Sequence, residues 1–482
     1  MQLTTAQRDR AVGAVLGMAA GDAVGMGYEF GPQVDPESVR MKTNPALPLF
    51  GPGEWTDDTT MAVPILQALA AGQNLLDQRT QDQVVGRWID WAGAGPKDIG
   101  VSTAFVLGQA LSRDAVGVRE AAHHRYRSGA PCAGNGSLMR TTPVVLGYLD
   151  DPAGLTRAAC TYSEFTHADP DAREACVLWN HAQRHAILHG ELDVTVGLAH
   201  MSHDRRGLWA ERLTRATRGE PIDFAVDNGW VVAALQCAWA AIRSTWTGSP
   251  DHLESGVRAA VAAGHDADTV AAIAGGLLGA RWGTSAVPLE WRRRLFGWPG
   301  WTGEDLVQAA HRAVGGRPWP ARFDRGRAAG VEPVRLPCDP GVWLGDAAGL
   351  SRLPDEVDAV VSLCRVGDHE VPSRIPSNRQ ARVWLIDSPV PEENPNLAYV
   401  VAQTVGLIQR WRAEGRVVYL HCGRAQSRTP FIAAAYGALV TGRSAAVVLQ
   451  EISSVLPCAD PNRGFRAFLN EPSLGGGRGD DR

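Results

Sequence analysis

Gly264-His265-Asp266-Ala267-Asp268-Thr269 runs directly into the apolar stretch VAAIAGGLLGA at 270–280, and this junction decides how most of the chain is read. The stretch has no charge and no proline, and its Ala, Gly and Leu content makes a helix with faces small enough to pack closely. Two aspartates and a threonine stand at its start, where side-chain oxygens accept backbone N–H groups. The same construction occurs far upstream. There Trp55-Thr56-Asp57-Asp58-Thr59 lies between the loop Gly51-Pro52-Gly53 and an apolar helix beginning near Met61. Outward from these junctions, helical patterns recur at 61–70, 82–91, 102–111, 169–189 and 230–242, with little strand-like alternation. Residues 1–317 therefore read as an all-α domain.

The pattern changes near residue 318. Pro318-Trp319-Pro320 and Arg325-Gly326-Arg327 mark 318–336 as a linker. Beyond it, short β-branched runs at 357–366, 382–386 and 417–420 alternate with helical segments at 398–413 and 429–441. Strands alternating with helices predict a small α/β domain over 337–470. The Gly-rich, charged residues 471–482 read as a disordered tail. A multidomain chain also fits the length, since 482 residues exceed what one core usually organises.

A formal net charge of −5 argues against general nucleic-acid affinity, and no uninterrupted apolar run reaches the ~20 residues of a membrane span. The start of the chain imitates a signal peptide, with Arg8 and Arg10 ahead of an apolar run at 11–20. Asp9 splits the basic part, Gly13 and Gly17 dilute the apolar part, and Asp22 and Glu29 follow within the same unit. The eight cysteines include no CxxC pair and suit neither a disulfide scaffold nor a zinc ribbon. A reducing cytoplasm is the expected location.

One helix cap needs one oxygen, whereas each acidic junction offers two aspartates and a threonine. Each junction is either an over-supplied cap or half of a cation site, because four carboxylates brought together repel unless a cation neutralises them. Hard oxygen donors with little nitrogen or sulfur point to Mg2+ or Mn2+ rather than zinc. Two further segments favour the cation site. Gly21-Asp22-Ala23-Val24-Gly25 leads to Glu29-Phe30. Gly134-Asn135-Gly136-Ser137-Leu138-Met139-Arg140 leads into another helix and either offers N–H groups to a phosphate or forms a plain tight turn.

Taken in order, and with Thr166-His167, these blocks resemble the ADP-ribosylglycohydrolase family over residues 8–315. The resemblance implies an ADP-ribosylglycohydrolase-like helical fold in which Thr56, Asp57, Asp58, Asp266, Asp268 and Thr269 hold two Mg2+ ions, or Mn2+ in their place. It implies Glu29 at the distal ribose near the scissile bond, which makes Glu29, Asp57 and Asp58 the catalytic candidates. It also implies that Gly134, Asn135, Gly136 and Ser137 cradle the diphosphate and that His167 contacts the ADP-ribose. No motif ligand is replaced, so an active enzyme is expected. The chemistry agrees: departure from ribose C1 builds an oxocarbenium-like centre, and a metal orients the hydroxyls and acidifies a water. His181, His185 and His189 share one helix face, but no carboxylate or cysteine motif accompanies them, so they read as a partly exposed surface. In Asn228-Gly229-Trp230, the indole reads equally as a stacking surface for a base or as a core aromatic.

The second domain carries Val417-Val418-Tyr419-Leu420-His421-Cys422-Gly423-Arg424-Ala425-Gln426-Ser427-Arg428-Thr429-Pro430, a C-x5-R spacing. Cys237 and Arg243 repeat that spacing inside an apparent helix, so spacing alone decides nothing. Cys422 instead follows a buried-strand pattern and precedes a helix starting near Thr429, in a loop whose N–H groups can converge on an oxyanion. A cysteine that attacks phosphate must be a thiolate. Arg428 would grip the phosphoryl oxygens with two N–H groups, and Thr429 would steady the leaving thiolate. Residues 337–470 resemble a dual-specificity, protein-tyrosine-phosphatase-like domain, with Val342-Trp343-Leu344-Gly345 as its opening strand. That resemblance implies Asp387, in Ile386-Asp387-Ser388-Pro389, as general acid, with Glu392 and Glu393 as rivals. Many members carry glycine three residues after the cysteine, where this chain has Ala425. Strain there would weaken turnover or leave a phosphate-binding pseudoenzyme.

The resulting expectation is a Mg2+-dependent ADP-ribosyl hydrolase fused to a cysteine phosphatase. Its substrate is an ADP-ribosylated protein, nucleic acid or small molecule, and the second domain takes a phosphorylated one. The alternative is a sensor or immunity protein that binds ADP-ribose and phosphate through a catalytically weak module.

Overall fold

The computed structural model describes residues 2–316, 330–367 and 370–471, which fall into two units. The first comprises residues 2–287 and 294–316. Its helices are α1 (Thr5–Gly25), α2 (Asp57–Ala70), α3 (Gln78–Gly93), α4 (Val101–Gln109), α5 (Ala115–Arg127) and α6 (Pro152–Glu164). They continue with α7 (Pro170–His189), α8 (His203–Arg218), α9 (Val231–Ser244), α10 (His252–Ala262) and α11 (Ala267–Trp282). α12 (Leu289–Arg292) groups with the second unit, and α13 (Gly303–Ala313) returns to the first.

The apolar run that imitates a signal peptide is the buried middle of α1. By length and composition this helix could cross a membrane, yet its apolar window is wholly buried in protein. Gly13, Gly17, Gly21 and Gly25 recur every fourth residue and so share one face. A Cβ on any of them would stand closer than 3.0 Å to backbone of the segment Ala267 to Gly283, and a Cβ on Gly275 or Gly279 would strike α1 in turn. With hydrogens in place of methyls, the backbones of α1 and α11 touch. Gly25 then meets Asp268, so the crossing delivers the end of α1 to the start of α11.

Two corrections apply to the first unit. The all-α expectation misses a short hairpin, β1 (Phe296–Gly297) with β2 (Trp301–Thr302), closed by Trp298-Pro299-Gly300. The helix expected after Ser137 is also absent. Two 3-10 turns, Asn135–Ser137 and Thr142–Gly147, take its place, because Pro143 has no N–H for the carbonyl four residues back and its ring would clash with that carbonyl in an α-helix begun after Ser137.

The second unit holds a five-stranded sheet in the order β3 (Val334–Leu336), β4 (Asp339–Asp346), β7 (Val418–Cys422), β5 (Ala359–Ser362), β6 (Gln380–Arg382). β3 runs antiparallel to β4, and the other pairs are parallel. Parallel strands buried on both faces should be apolar throughout, and β5 (AVVS) and β7 (VYLHC) are buried at every residue. Helices α14 (Leu397–Ala413), α15 (Arg428–Thr441), α16 (Ala445–Val455) and α17 (Arg463–Leu469) complete the unit. Within its core, Leu344 and Leu420 of the sheet cluster with Ile408, Phe431 and Ile432 of the helices. The strand expected at 382–386 stops at Arg382, because the Asn394 side chain takes both the N–H and the carbonyl of Ile386. Of the expected linker 318–336, residues 318–329 lie outside the described residues, and the last three are β3 of the sheet. The expected tail lies outside them from 472 onward.

Candidate active site

Because α1 and α11 cross at contact distance, six acidic side chains from distant segments share one pit. Asp57 and Asp58 open α2, while Asp266 caps α11 and Asp268 lies in its first turn. Asp22 comes from the end of α1, and Glu29 follows the 3-10 turn Met26–Tyr28. Among the described residues, two groups of three carboxylates bring oxygens within 4.8 Å of one another: Asp22, Asp58 and Asp268, and Glu29, Asp266 and Asp268. Asp268 belongs to both. Thr56 Oγ1 lies 3.3 Å from Asp268 Oδ2, and Thr269 Oγ1 donates to Asp58 Oδ1 at 3.3 Å. Asp57 stands outside both triads and accepts the Gly100 N–H at 3.2 Å.

Burial first and neighbouring carboxylates second push Glu29 up to about 9 and Asp57 to about 8. The same two causes hold Asp58 and Asp268 well above the usual carboxylate range. Glu29 Oε2 and Asp58 Oδ2 are buried with no hydrogen-bond partner. An orphaned carboxylate oxygen is destabilising unless something positive meets it. The donor set is carboxylate and threonine oxygen throughout, so the residues fit Mg2+ or Mn2+ and not zinc.

The glycine loop is tied to this pit. Asn135 Nδ2 donates to Asp266 Oδ2 at 2.7 Å and to the Asn228 carbonyl at 2.9 Å. Asn228 in turn accepts the Asp266 N–H at 3.1 Å and donates to the Gly264 carbonyl at 3.0 Å. The Asn135 N–H is spent on the Gly229 carbonyl, and Ser137 Oγ accepts from the Ser163 hydroxyl at 2.9 Å. Of the expected cradle, the amides of Gly134, Gly136 and Ser137 thus remain candidates. The buried ring of His167 lies against the loop. A Cβ on Gly136 would stand 3.0 Å from its Cε1, and one on Gly134 would stand 3.4 Å from its Nε2. Burial pushes His167 down to about 3, with the charge of Arg140 adding to the effect, so the ring is neutral. Arg140, itself buried over the Trp88 ring, donates to Thr166 Oγ1 at 2.6 Å, and that oxygen is 2.7 Å from His167 Nδ1.

Beside the loop opens a cleft of about 720 Å³, walled by Tyr126, Cys132, Gly134, Asp169, Gly229 and Trp230, among others. Trp230 is 41% exposed there, which places it on the wall and not in the core. The histidine face is partly exposed, as expected: His189 is exposed and His185 half-buried. His181 is buried and stacks on His200 at 3.6 Å, and His185 pairs with Glu191 at 3.5 Å.

Sequence reasoning passed over Asp98. It lies close enough that its charge raises both Glu29 and Asp57, and its own carboxyl is raised by burial. Asn228 and Arg140 lay within quoted segments without roles. Their partners are remote in sequence, and only the fold shows the pairing.

In the second unit, Cys422 ends β7 beside Asp346 of β4, and Arg428 opens α15. The C-terminal ends of parallel strands are where open α/β sheets bind ligands. Arg428 Nη1 donates to the carbonyls of Leu363 (2.7 Å) and Leu385 (3.3 Å), and its Nε lies 3.8 Å from Asp387 Oδ2. Asn462 ties the segments together, giving its N–H to Ser427 Oγ at 3.2 Å and its amide to Asp387 Oδ1 at 3.0 Å. Thr429 is buried and donates to the Gly345 carbonyl at 3.3 Å. Glu392 and Glu393 sit in a separate 3-10 turn. Ala425 adopts a φ of 57°, the left-handed region where the expected glycine would be at ease. Cys237 and Arg243, the rival pair, both lie inside α9.

The family model described as ADP-ribosylglycohydrolase matches residues 3–321. The chain is 31% identical over 289 residues to the ADP-ribosylarginine hydrolase Tri1 of Pseudomonas putida (strain GB-1), covering 60% of this chain and 74% of that one. It is 29% identical over 299 residues to the ADP-ribosyl-(dinitrogen reductase) glycohydrolase of Rhodospirillum rubrum, covering 60% and 90%. The C-terminal part is similar to dual specificity phosphatase 28 of Homo sapiens, 29% identical over 148 residues that cover 30% of this chain and 82% of that one.

Proposed function

The chain belongs to the ADP-ribosylglycohydrolase family, and from that membership we propose that its helical unit is a cation-dependent hydrolase releasing ADP-ribose from an N- or O-glycosidic adduct. The observation that carries this reading is the pair of triads sharing Asp268, with Glu29 Oε2 and Asp58 Oδ2 buried and unbonded. Thr56, Asp57, Asp58, Asp266, Asp268 and Thr269 would hold two Mg2+ or Mn2+ ions. Once bound, such ions supply Lewis acidity toward the ribose hydroxyls and a more acidic water. Glu29 lies at the second triad and stands at the distal ribose. The amides of Gly134, Gly136 and Ser137 face the diphosphate, the neutral His167 ring braces their loop, and Trp230 with Tyr126 takes the base. Asp98 adds negative charge beside Glu29 and Asp57, which suits a cationic leaving group. An ADP-ribosylated arginine on a protein is therefore the first substrate to try, and the name of the Pseudomonas relative agrees.

Chelation should abolish ADP-ribose release from an arginine-ADP-ribosylated protein, and Mg2+ or Mn2+ should restore it. Asp57→Ala and Asp268→Ala should each lose release. Full turnover by a metal-stripped sample in excess EDTA would sink the reading. Tight ADP-ribose binding without release would favour the sensor.

The second unit we read as a phosphoryl-binding domain with Cys422 as nucleophile, Arg428 as phosphate grip and Asp387 as general acid. Its support is the strand–loop–helix that sets Cys422 and Arg428 at one sheet end. Eight free cysteines support a reducing compartment such as the cytoplasm.

A further inference from the structure

We propose that Asp22 is a positioning residue: it turns Thr56 into an oxygen donor for the cation site and holds no cation itself, an inference that rests on the cation reading above. Thr56 is the N-cap of α2, yet its side chain makes no capping bond to its own helix. Asp22 caps α2 from α1. Its Oδ1 accepts the Thr56 N–H at 2.8 Å and the Thr56 hydroxyl at 3.0 Å. Its Oδ2 accepts the Thr59 N–H at 3.0 Å and the Thr59 hydroxyl at 2.6 Å. A carboxylate offers about four lone-pair sites, and these four bonds use all of them. Asp22 therefore stands in a triad with Asp58 and Asp268 without acceptor capacity to share. Asp58 differs, because its Oδ2 is buried and unbonded.

The Thr56 hydroxyl has one proton and two carboxylate neighbours, Asp22 at 3.0 Å and Asp268 at 3.3 Å. With the proton held by the nearer Asp22, the lone pairs of Thr56 Oγ1 face Asp268 Oδ2. Two oxygens at that separation with no proton between them form one edge of a cation's coordination shell. Residues that orient ligands in this way typically govern affinity without changing the number of ions bound.

The test titrates the metal-stripped full chain with Mn2+ and counts the free ion by its EPR signal. Asp22→Asn breaks two of the four bonds whichever way its amide turns. It should bind as many ions as wild type with affinity lower by roughly 10- to 100-fold. Thr59→Val keeps three bonds and should weaken affinity several-fold at unchanged stoichiometry. Asp58→Asn, a change to a proposed ligand, should lose an ion at saturation. One ion fewer in Asp22→Asn would make Asp22 a ligand and overturn the proposal, as would wild-type affinity in that variant. If Asp22→Asn does not fold, wild-type affinity in Thr59→Val overturns it instead. Failure of the wild type to bind Mn2+ would overturn the cation reading, and this inference with it. Amide exchange at Thr56 and Thr59 in the metal-free chain separates the two failures. Exchange accelerated by Asp22→Asn shows that the cap exists even where no cation binds.

Discussion

Asp9 accepts the Thr284 N–H and the Ser285 hydroxyl, each at 2.9 Å, yet burial outweighs these bonds and pushes its carboxyl up to about 6. The unfolded chain releases the same proton near 3.9. Between those values the fold keeps a proton that the unfolded chain has lost. The stabilisation is thus complete below about pH 4 and is lost as pH rises through 6, by on the order of 3 kcal/mol. Asp9→Asn cannot ionise, so its stability relative to wild type should rise by roughly that amount between pH 4 and 7, read from urea midpoints. A flat difference over that range would mean that Asp9 is already charged at pH 4. Ala425 needs the opposite kind of accounting. Its left-handed backbone costs about 1–2 kcal/mol. Glycine would relieve that but lose a buried methyl, about 0.8 kcal/mol, and add roughly 0.5–1 kcal/mol of unfolded-state freedom. The terms nearly cancel, so Ala425→Gly should shift stability by less than about 1 kcal/mol in thermal melts. A far larger gain would mark the loop as strained in earnest. How readable a residue was from sequence depended on where its partner lies. Asp57, Asp58, Asp266 and Asp268 crowd two helix starts, and spacing alone exposes that excess of acid. Asp22 acts on Thr56 from 34 positions away, and no local pattern reports such a pairing.

At the scale of elements, small residues announced close helix packing, but only the crossing shows which glycines meet which backbone. Gly21 is the severe case, since its Cβ would strike the carbonyl of Ala271. Neither backbone can yield without moving a helix, so Gly21→Ala should cost at least the ~1–3 kcal/mol typical of overpacking. Because α11 carries Asp266 and Asp268, release of ADP-ribose should fall along with the melting temperature. Gly207 in α8 has open space around the same construction. There Gly207→Ala should stabilise by roughly 0.4–1 kcal/mol and leave turnover alone. Equal melting temperatures for the two variants would refute the contact between α1 and α11. The helices themselves were readable because their apolar positions repeat locally. The strand expected at 382–386 was not, since Asn394 competes for the backbone groups of Ile386 from outside the segment. The helix expected after Ser137 overlooked Pro143, whose restraint is local and could have been used.

At the scale of the whole molecule, both triads and the cleft are built from residues of the first unit. A fragment ending at residue 317 should therefore retain ADP-ribose release, and inactivity of a folded fragment would tie the site to the second unit. Its weak point is α12, whose Leu289 packs into the core of the second unit and would lose those partners. The complementary prediction concerns Cys422, in the full chain. Cys422 is only 2% exposed, at the end of β7, as suits a nucleophile at the bottom of a narrow anion site. Iodoacetate is small and anionic, so the loop that would hold phosphate should also hold it. Cys237 is the internal control: it lies inside α9, and burial pushes its thiol up to about 12. Cys422 should be alkylated far faster than Cys237, and phosphate or vanadate should protect it by occupying the same loop. Cys422→Ser should abolish hydrolysis of an aryl phosphate and leave ADP-ribose release unchanged, because the two sets of residues belong to different units. Asp387→Asn should slow hydrolysis most for substrates with poor leaving groups, which need a proton in the transition state. Alkylation of Cys422 no faster than Cys237, with no protection by phosphate, would make the loop structural and reduce the second unit to a fold without that chemistry.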